Sequence, residues 1–91
     1  MNRTTESVNN IRVDKATSGD YQLTFNIVSK TEGLESISVI GLKNDEYIFS
    51  VVKNFLPSVN SSVNFANGNF DFTILQAVMT EIDEIETELE A

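Results

Sequence analysis

The clearest pattern of apolar and polar positions runs from Tyr21 to Val28. Tyr21, Leu23, Phe25 and Ile27 alternate with Gln22, Thr24, Asn26 and Val28. Period two sends the four apolar side chains to one face and a mostly polar set to the other. That is the signature of an antiparallel strand with one face on a core and one on water. Before it, Ile11 and Val13 alternate with Arg12 and Asp14, and Thr17-Ser18-Gly19-Asp20 supplies turn chemistry. After it, Lys30-Thr31-Glu32-Gly33 predicts another turn, and Ile37, Val39, Ile40 and Leu42 another strand. The alternation slips between Val39 and Ile40, which predicts either a bulge there or cover on both faces.

Lys43-Asn44-Asp45-Glu46 predicts a tight hairpin, with Tyr47–Lys53 returning as a third strand. Tyr47–Phe55 also admits a helix, capped by Asn44 or Asp45, with Ile48, Val52 and Phe55 on its buried face. The β-branched and aromatic content of Tyr47-Ile48-Phe49 and Val51-Val52 favours the strand. Pro57 stops whatever precedes it. Val63-Asn64-Phe65 and Phe70-Asp71-Phe72 then flank Asn67-Gly68, a strong hairpin signal. In the competing reading Asn69 or Asp71 caps the last helix. From Phe72 to Leu89 the period is helical: Leu75, Val78, Met79, Ile82, Ile85 and Leu89 fall on one stripe, with acids between them.

These patterns predict an α+β fold: a small antiparallel sheet of three to five strands in a meander, with one C-terminal helix packed on its apolar face. Residues 1–9 are expected to be a flexible N-terminus. Residues 10–91 are expected to be a single domain, mainly β over 10–66 and helical over 71–90. The expected core is Tyr21, Leu23, Phe25, Ile27, Ile37, Val39, Phe49, Phe72, Leu75, Val78, Met79 and Ile82.

Charge changes the picture at the C-terminus. The chain of 91 residues carries a net charge of −8, and residues 81–91 hold six acids and no base. No Lys or Arg follows Lys53. Carboxylates near a helix C-terminus oppose the macrodipole at about 0.3–1 kcal/mol each. Glu84–Glu88 and Glu86–Glu90 add like-charge repulsion at i, i+4. Two explanations fit such a helix. Its last turns are a flexible solubilising tail, or Ile82, Ile85 and Leu89 pack on a partner or a second copy while Glu81, Glu84, Glu86 and Glu88 face a basic surface.

The chemistry available is narrow. With no His and no Cys, the usual triads, thiol nucleophiles, zinc deaminase and zinc protease sites, and haem ligation by His or thiolate are excluded. Ser50-Val51-Val52-Lys53 spells S-x-x-K, but its companion motifs are missing and a strand would point Ser50 and Lys53 to opposite faces. Four glycines form no phosphate-binding pattern. No catalytic, cofactor-binding or metal residue is assigned, and no cofactor is expected.

Direct nucleic-acid binding and anionic-membrane binding both need clusters of Lys and Arg that this sequence lacks. The opening residues have no apolar signal region, and no apolar run approaches membrane-spanning length, so a cytoplasmic location is expected. The function expected is that of a non-enzymatic protein–protein interaction or assembly module. It would be homo-oligomeric or bound to a protein partner, through the C-terminal helix or an open sheet edge. The alternative is a small acidic inhibitor, a nucleic-acid mimic or immunity-type protein, that blocks a basic site on its target.

Overall fold

Left-handed backbone at a few small or polar residues folds the chain back on itself. Gly19 has φ +59°, and Asn44 and Asp45 have φ of 54° and 62°, values that Gly, Asn and Asp tolerate best. Both turns are two residues long, so Ser18 faces Tyr21 and Lys43 faces Glu46 across their hairpins. The structure, a computed structural model, describes residues 3–7, 11–30, 33–56 and 58–90.

The strands are β1 (Thr4–Ser7), β2 (Ile11–Ser18), β3 (Tyr21–Lys30), β4 (Gly33–Lys43), β5 (Glu46–Asn54) and β6 (Asn60–Phe65). They lie side by side in sequence order as one antiparallel meander. A short 3-10 turn, Ala66–Gly68, leads to the helix α1 (Phe72–Glu90). The class is the expected α+β, but there are six strands where three to five were predicted. The residue spans 31–32 and 57, at the expected turn and stop, lie outside the described residues.

Several expectations need correction. Thr4–Ser7, within the segment expected to be a flexible terminus, pair with Val13–Lys15 as β1. Being wholly polar, they give no alternation to read. The rest of 1–9, apart from Arg3, lies outside the described residues. The favoured strand reading of Tyr47–Lys53 holds, since Glu46–Asn54 is strand β5, and the alternative helix over Tyr47–Phe55 does not form. The Asn67-Gly68 hairpin does not form: Phe70 and Asp71 are not in a strand, and Phe72 already belongs to α1.

Asp71 caps that helix instead. Its Oδ1 accepts from the backbone N–H of Thr73 at 3.0 Å and of Ile74 at 3.3 Å, two of the donors a helix start leaves unpaired. Its Oδ2 accepts from the Tyr21 hydroxyl at 3.1 Å, which ties the start of α1 to the start of β3. That bond and burial together push the Tyr21 phenol up from its ordinary value.

The slip at Val39-Ile40 is neither a bulge nor two-sided cover. Val39 is buried and Ile40 is 40% exposed on the other face, so the alternation is regular. The bulges lie elsewhere, at Val28/Ser29 against β4 and where Ile48 is inserted in β5 between Tyr47 and Phe49.

The register arranges the covered face in rows across the strands. Arg12, Ile27, Ile37, Lys53 and Ser61 form one row; Asp14, Phe25, Val39, Val51 and Val63 the next; Ala16, Leu23, Gly41, Phe49 and Phe65 the third. The middle of each row is buried under α1, which contributes Ile74, Val78, Ile82 and Ile85. Phe72, expected in the core, is 63% exposed. As the first helical residue it precedes the stripe that meets the sheet. Tyr21, Leu75 and Met79 are half-buried at the rim of this core. Among the described residues no helix is long and apolar enough to cross a membrane.

Gly41 shows how tightly the third row is packed. A Cβ built on it would lie 2.0 Å from Cε1 of Phe49, whose ring is fully buried and has nowhere to turn. Its φ is not in the left-handed region, so the requirement is purely steric. Gly41→Ala is therefore expected to destabilise the fold by about 1–3 kcal/mol, the usual cost of overpacking. Urea unfolding followed by circular dichroism would measure it; an unchanged midpoint would show that the ring can move.

Candidate interaction surface

The stripe and acids of α1 singled out by the sequence turn out to have neighbours inside the chain. Ile82 and Ile85 are fully buried against the sheet. Leu89 is 40% exposed at the helix end, and Glu84 is exposed. Glu86 and Glu88 each meet a base carried by a strand, and Glu81 meets Arg3, which directly precedes β1.

On one flank of the helix the bases are Arg3, just before β1, and Arg12 on β2. Arg12 grips Asp14 with a fork: its Nε donates to Oδ1 at 3.0 Å and its Nη2 to Oδ2 at 2.7 Å. Arg3 adds Nη1 to Asp14 Oδ2 at 2.6 Å, and the Thr5 hydroxyl donates to Oδ1 at 2.7 Å. Both guanidinium groups then reach the helix. Arg3 donates to Glu81, and Glu88 accepts from Arg12 at 3.0 Å and from Arg3 at 3.2 Å.

Asp14 is completely buried and Glu81 is 4% exposed. Burial of such charges is tolerated only where they are paired and hydrogen-bonded. Among the described residues every buried side-chain nitrogen or oxygen has a partner. On the other flank, Lys53 of β5 bonds Glu86 at 3.1 Å and lies 3.8 Å from Asp83. The basic surface that these carboxylates face thus belongs to their own sheet.

The charges of the cluster are paired with one another. Three carboxylates, Asp14, Glu81 and Glu88, converge on two guanidinium groups, and among the described residues no group of acidic side chains is placed to hold a metal ion. Ser50 accepts from the Tyr47 hydroxyl at 3.0 Å while Lys53 is engaged with the helix, so the S-x-x-K residues sit on opposite faces.

The sheet is less complete than the helix. On its far side no element among the described residues covers Ile40 or Tyr47, both about 40% exposed. At the β6 end the three rows terminate in Ser61, Val63 and Phe65, beyond the reach of α1. Val63 is 44% exposed and Phe70 63%. An aromatic series runs outward from the core to this edge. Tyr21 meets Phe49 edge-on at 5.8 Å, Phe49 stacks on Phe65 at 5.1 Å, and Phe65 meets Phe70 edge-on at 5.2 Å. The sequence shows part of this edge, Val63-Asn64-Phe65 in the hairpin signal, but Asn60–Ser62 are wholly polar and give no alternation that would extend the strand.

No family model, curated protein or solved structure matches this chain. Its possible roles therefore rest on its own surface chemistry.

The cluster makes stability depend on pH in a definite direction. The Arg12 fork, assisted by Thr5 and Arg3, holds the Asp14 carboxyl at about 2, against an ordinary 3.8, despite burial that acts the other way. Arg12 and Arg3 lower Glu88 as well. A carboxyl depressed in the folded state stabilises it fully above the unfolded value. That contribution disappears as pH falls from about 4 through about 2. The loss expected from Asp14 is about 2 kcal/mol. Asp14→Asn should cost roughly 3 kcal/mol at neutral pH, because two guanidinium groups lose their buried counter-charge, and should flatten the dependence between pH 4 and 2. Denaturant titrations across that range would decide; equal slopes in the two proteins would remove Asp14 from the account.

Proposed function

We propose that the protein is a non-enzymatic protein–protein interaction module that self-associates through its open sheet rather than through its helix. The observation that carries this reading is the contrast between the two elements. The apolar stripe of α1 is consumed by the chain's own core, and three of its acids by the chain's own bases. Among the described residues the sheet, by contrast, keeps an uncovered face and two edge strands, β1 and β6, each paired on one side. Unpaired edges are the usual route by which one sheet joins another.

Catalysis finds little support. A depression of about 600 Å³ is lined by Thr4, Lys15, Thr17, Gln22, Thr24 and Leu42 with Ala16 and Leu23. It brings together one amine and several hydroxyls, with no carboxylate to act as a base. The acidic-inhibitor reading is supported by the charge of −8 and by the exposed Asp83 and Glu84. It is weakened by the internal engagement of Glu81, Glu86 and Glu88.

Sedimentation equilibrium over a micromolar range is the test. The wild type is expected to form a dimer or larger assembly. Leu89→Glu, at the exposed end of the helix, should leave both fold and assembly unchanged. A wild type that stays monomeric at every concentration would retire self-association. Dissociation by Leu89→Glu would return the contact surface to the helix.

A further inference from the structure

The two edges of the sheet differ. β1 has four residues, its pairing with β2 shifts between Thr5 and Ser7, and Arg3 beside it is tied into the ionic cluster. Shortness, irregularity and nearby charge are the means by which sheet edges avoid pairing with other chains. β6 has none of them. It runs six residues in unbroken register with β5. No charged residue occurs anywhere from Asn54 to Phe70, in a chain where 22% of residues are charged.

An uncharged edge says something about its occupant. A contact between identical copies related by a two-fold axis sets a patch against itself, so any charge in it meets its own sign. A patch without charge escapes that penalty, while a basic or acidic partner would find nothing there to complement. On a molecule of net charge −8, this edge is where a second copy meets least repulsion. Its exposed apolar side chains, Val63 at 44% and Phe70 at 63%, supply a reason to meet.

Resting on the reading that the protein self-associates, we propose that two copies pair β6 to β6 in antiparallel fashion, which joins their sheets into one of twelve strands. The covered faces must lie on the same side for the two apolar margins to merge. Opposed residues in an antiparallel pair share a face, so odd positions meet odd ones and even meet even. The two-fold axis then passes through Ser62 or Val63. Val63 and Phe65 of each copy extend the rows of the other, and the gap between the two helices is floored by them and walled by Phe70 and Met79.

Ser62 is exposed, and in either register it opposes Ser62 or Asn64 of the second copy. Ser62→Lys and Ser62→Glu are each expected to weaken association by roughly tenfold or more through like-charge opposition. Mixing the two variants should restore the dimer. Thr4→Lys, exposed on β1, should leave it intact, and circular dichroism would check that each variant is folded. A wild-type dimer that survives both Ser62 variants overturns β6 pairing and leaves self-association standing. Weakening of both variants without recovery on mixing also overturns it, since direct opposition requires rescue. A strictly monomeric wild type, the result if the edge takes a strand from a different protein, overturns both.

Discussion

Six strands at a spacing of roughly 4.8 Å make a sheet about 24 Å across, while a helix with its side chains is about 10 Å wide. One helix therefore cannot cover one face of this sheet, and the margins on either side of α1 have to be finished in another way. The register rows show the two solutions. Toward β1 and β2 the rows turn from Phe25 and Ile27 to Asp14 and Arg12, apolar residues giving way to charge. Toward β6 two of the three continue through Val51 and Phe49 to Val63 and Phe65, still apolar and partly bare, while the third passes through Lys53 to Ser61.

The charged margin also explains how an unfavourable helix stays in place. Taken alone, α1 has carboxylates at the end where the macrodipole repels them and no base in its last turn. Arg3 and Arg12 on one flank and Lys53 on the other reverse that sign from outside. Buried ion pairs add little net stability over a well-packed apolar equivalent, because desolvation consumes most of the Coulomb gain. Their effect here is positional. Arg12 and Lys53 stand in one row, separated by Ile27 and Ile37, so the helix is held laterally between cations while Ile82 and Ile85 take its apolar side. Rotation or sliding of α1 would strand Glu81 without a partner in a buried site.

What could be read from the sequence follows from whether its cause was local. The alternation of Tyr21 to Ile27, the left-handed Asn44-Asp45 turn and the helical stripe after Phe72 are each encoded within a few residues, and each was legible. Thr4–Ser7 gave no signal because an edge strand needs no apolar face. Phe72 lies two residues before Ile74, where the buried side of the helix begins. Ile74 and Ile85 were left out of the expected core because only docking decides which side of a stripe faces the sheet. The partners of Glu81 and Glu88 lie 78 and 76 residues away, a distance over which no pattern in one sequence speaks. Excess acid on the helix is legible in the sequence; the basic side chains that face it are not, because only the fold brings Arg3 and Arg12 there.

Two unlike margins also divide the molecule electrostatically. Glu81 and Glu88 lie with the Arg3–Arg12 cluster toward β1 and β2, while Asp83 and Glu86 lie beside Lys53 on the other flank, all four in the C-terminal half of the helix. The stretch from Asn54 to Phe70, with the whole of β6, carries no charge. At physiological ionic strength the screening length is about 8 Å, well below the width of the sheet. Repulsion between two copies of charge −8 is thus strong when they approach helix end to helix end and mostly screened when they approach neutral edge to neutral edge. The same arrangement that keeps the acidic side soluble makes it a poor contact between copies, so the uncharged margin that the helix cannot reach is the place where contact costs least.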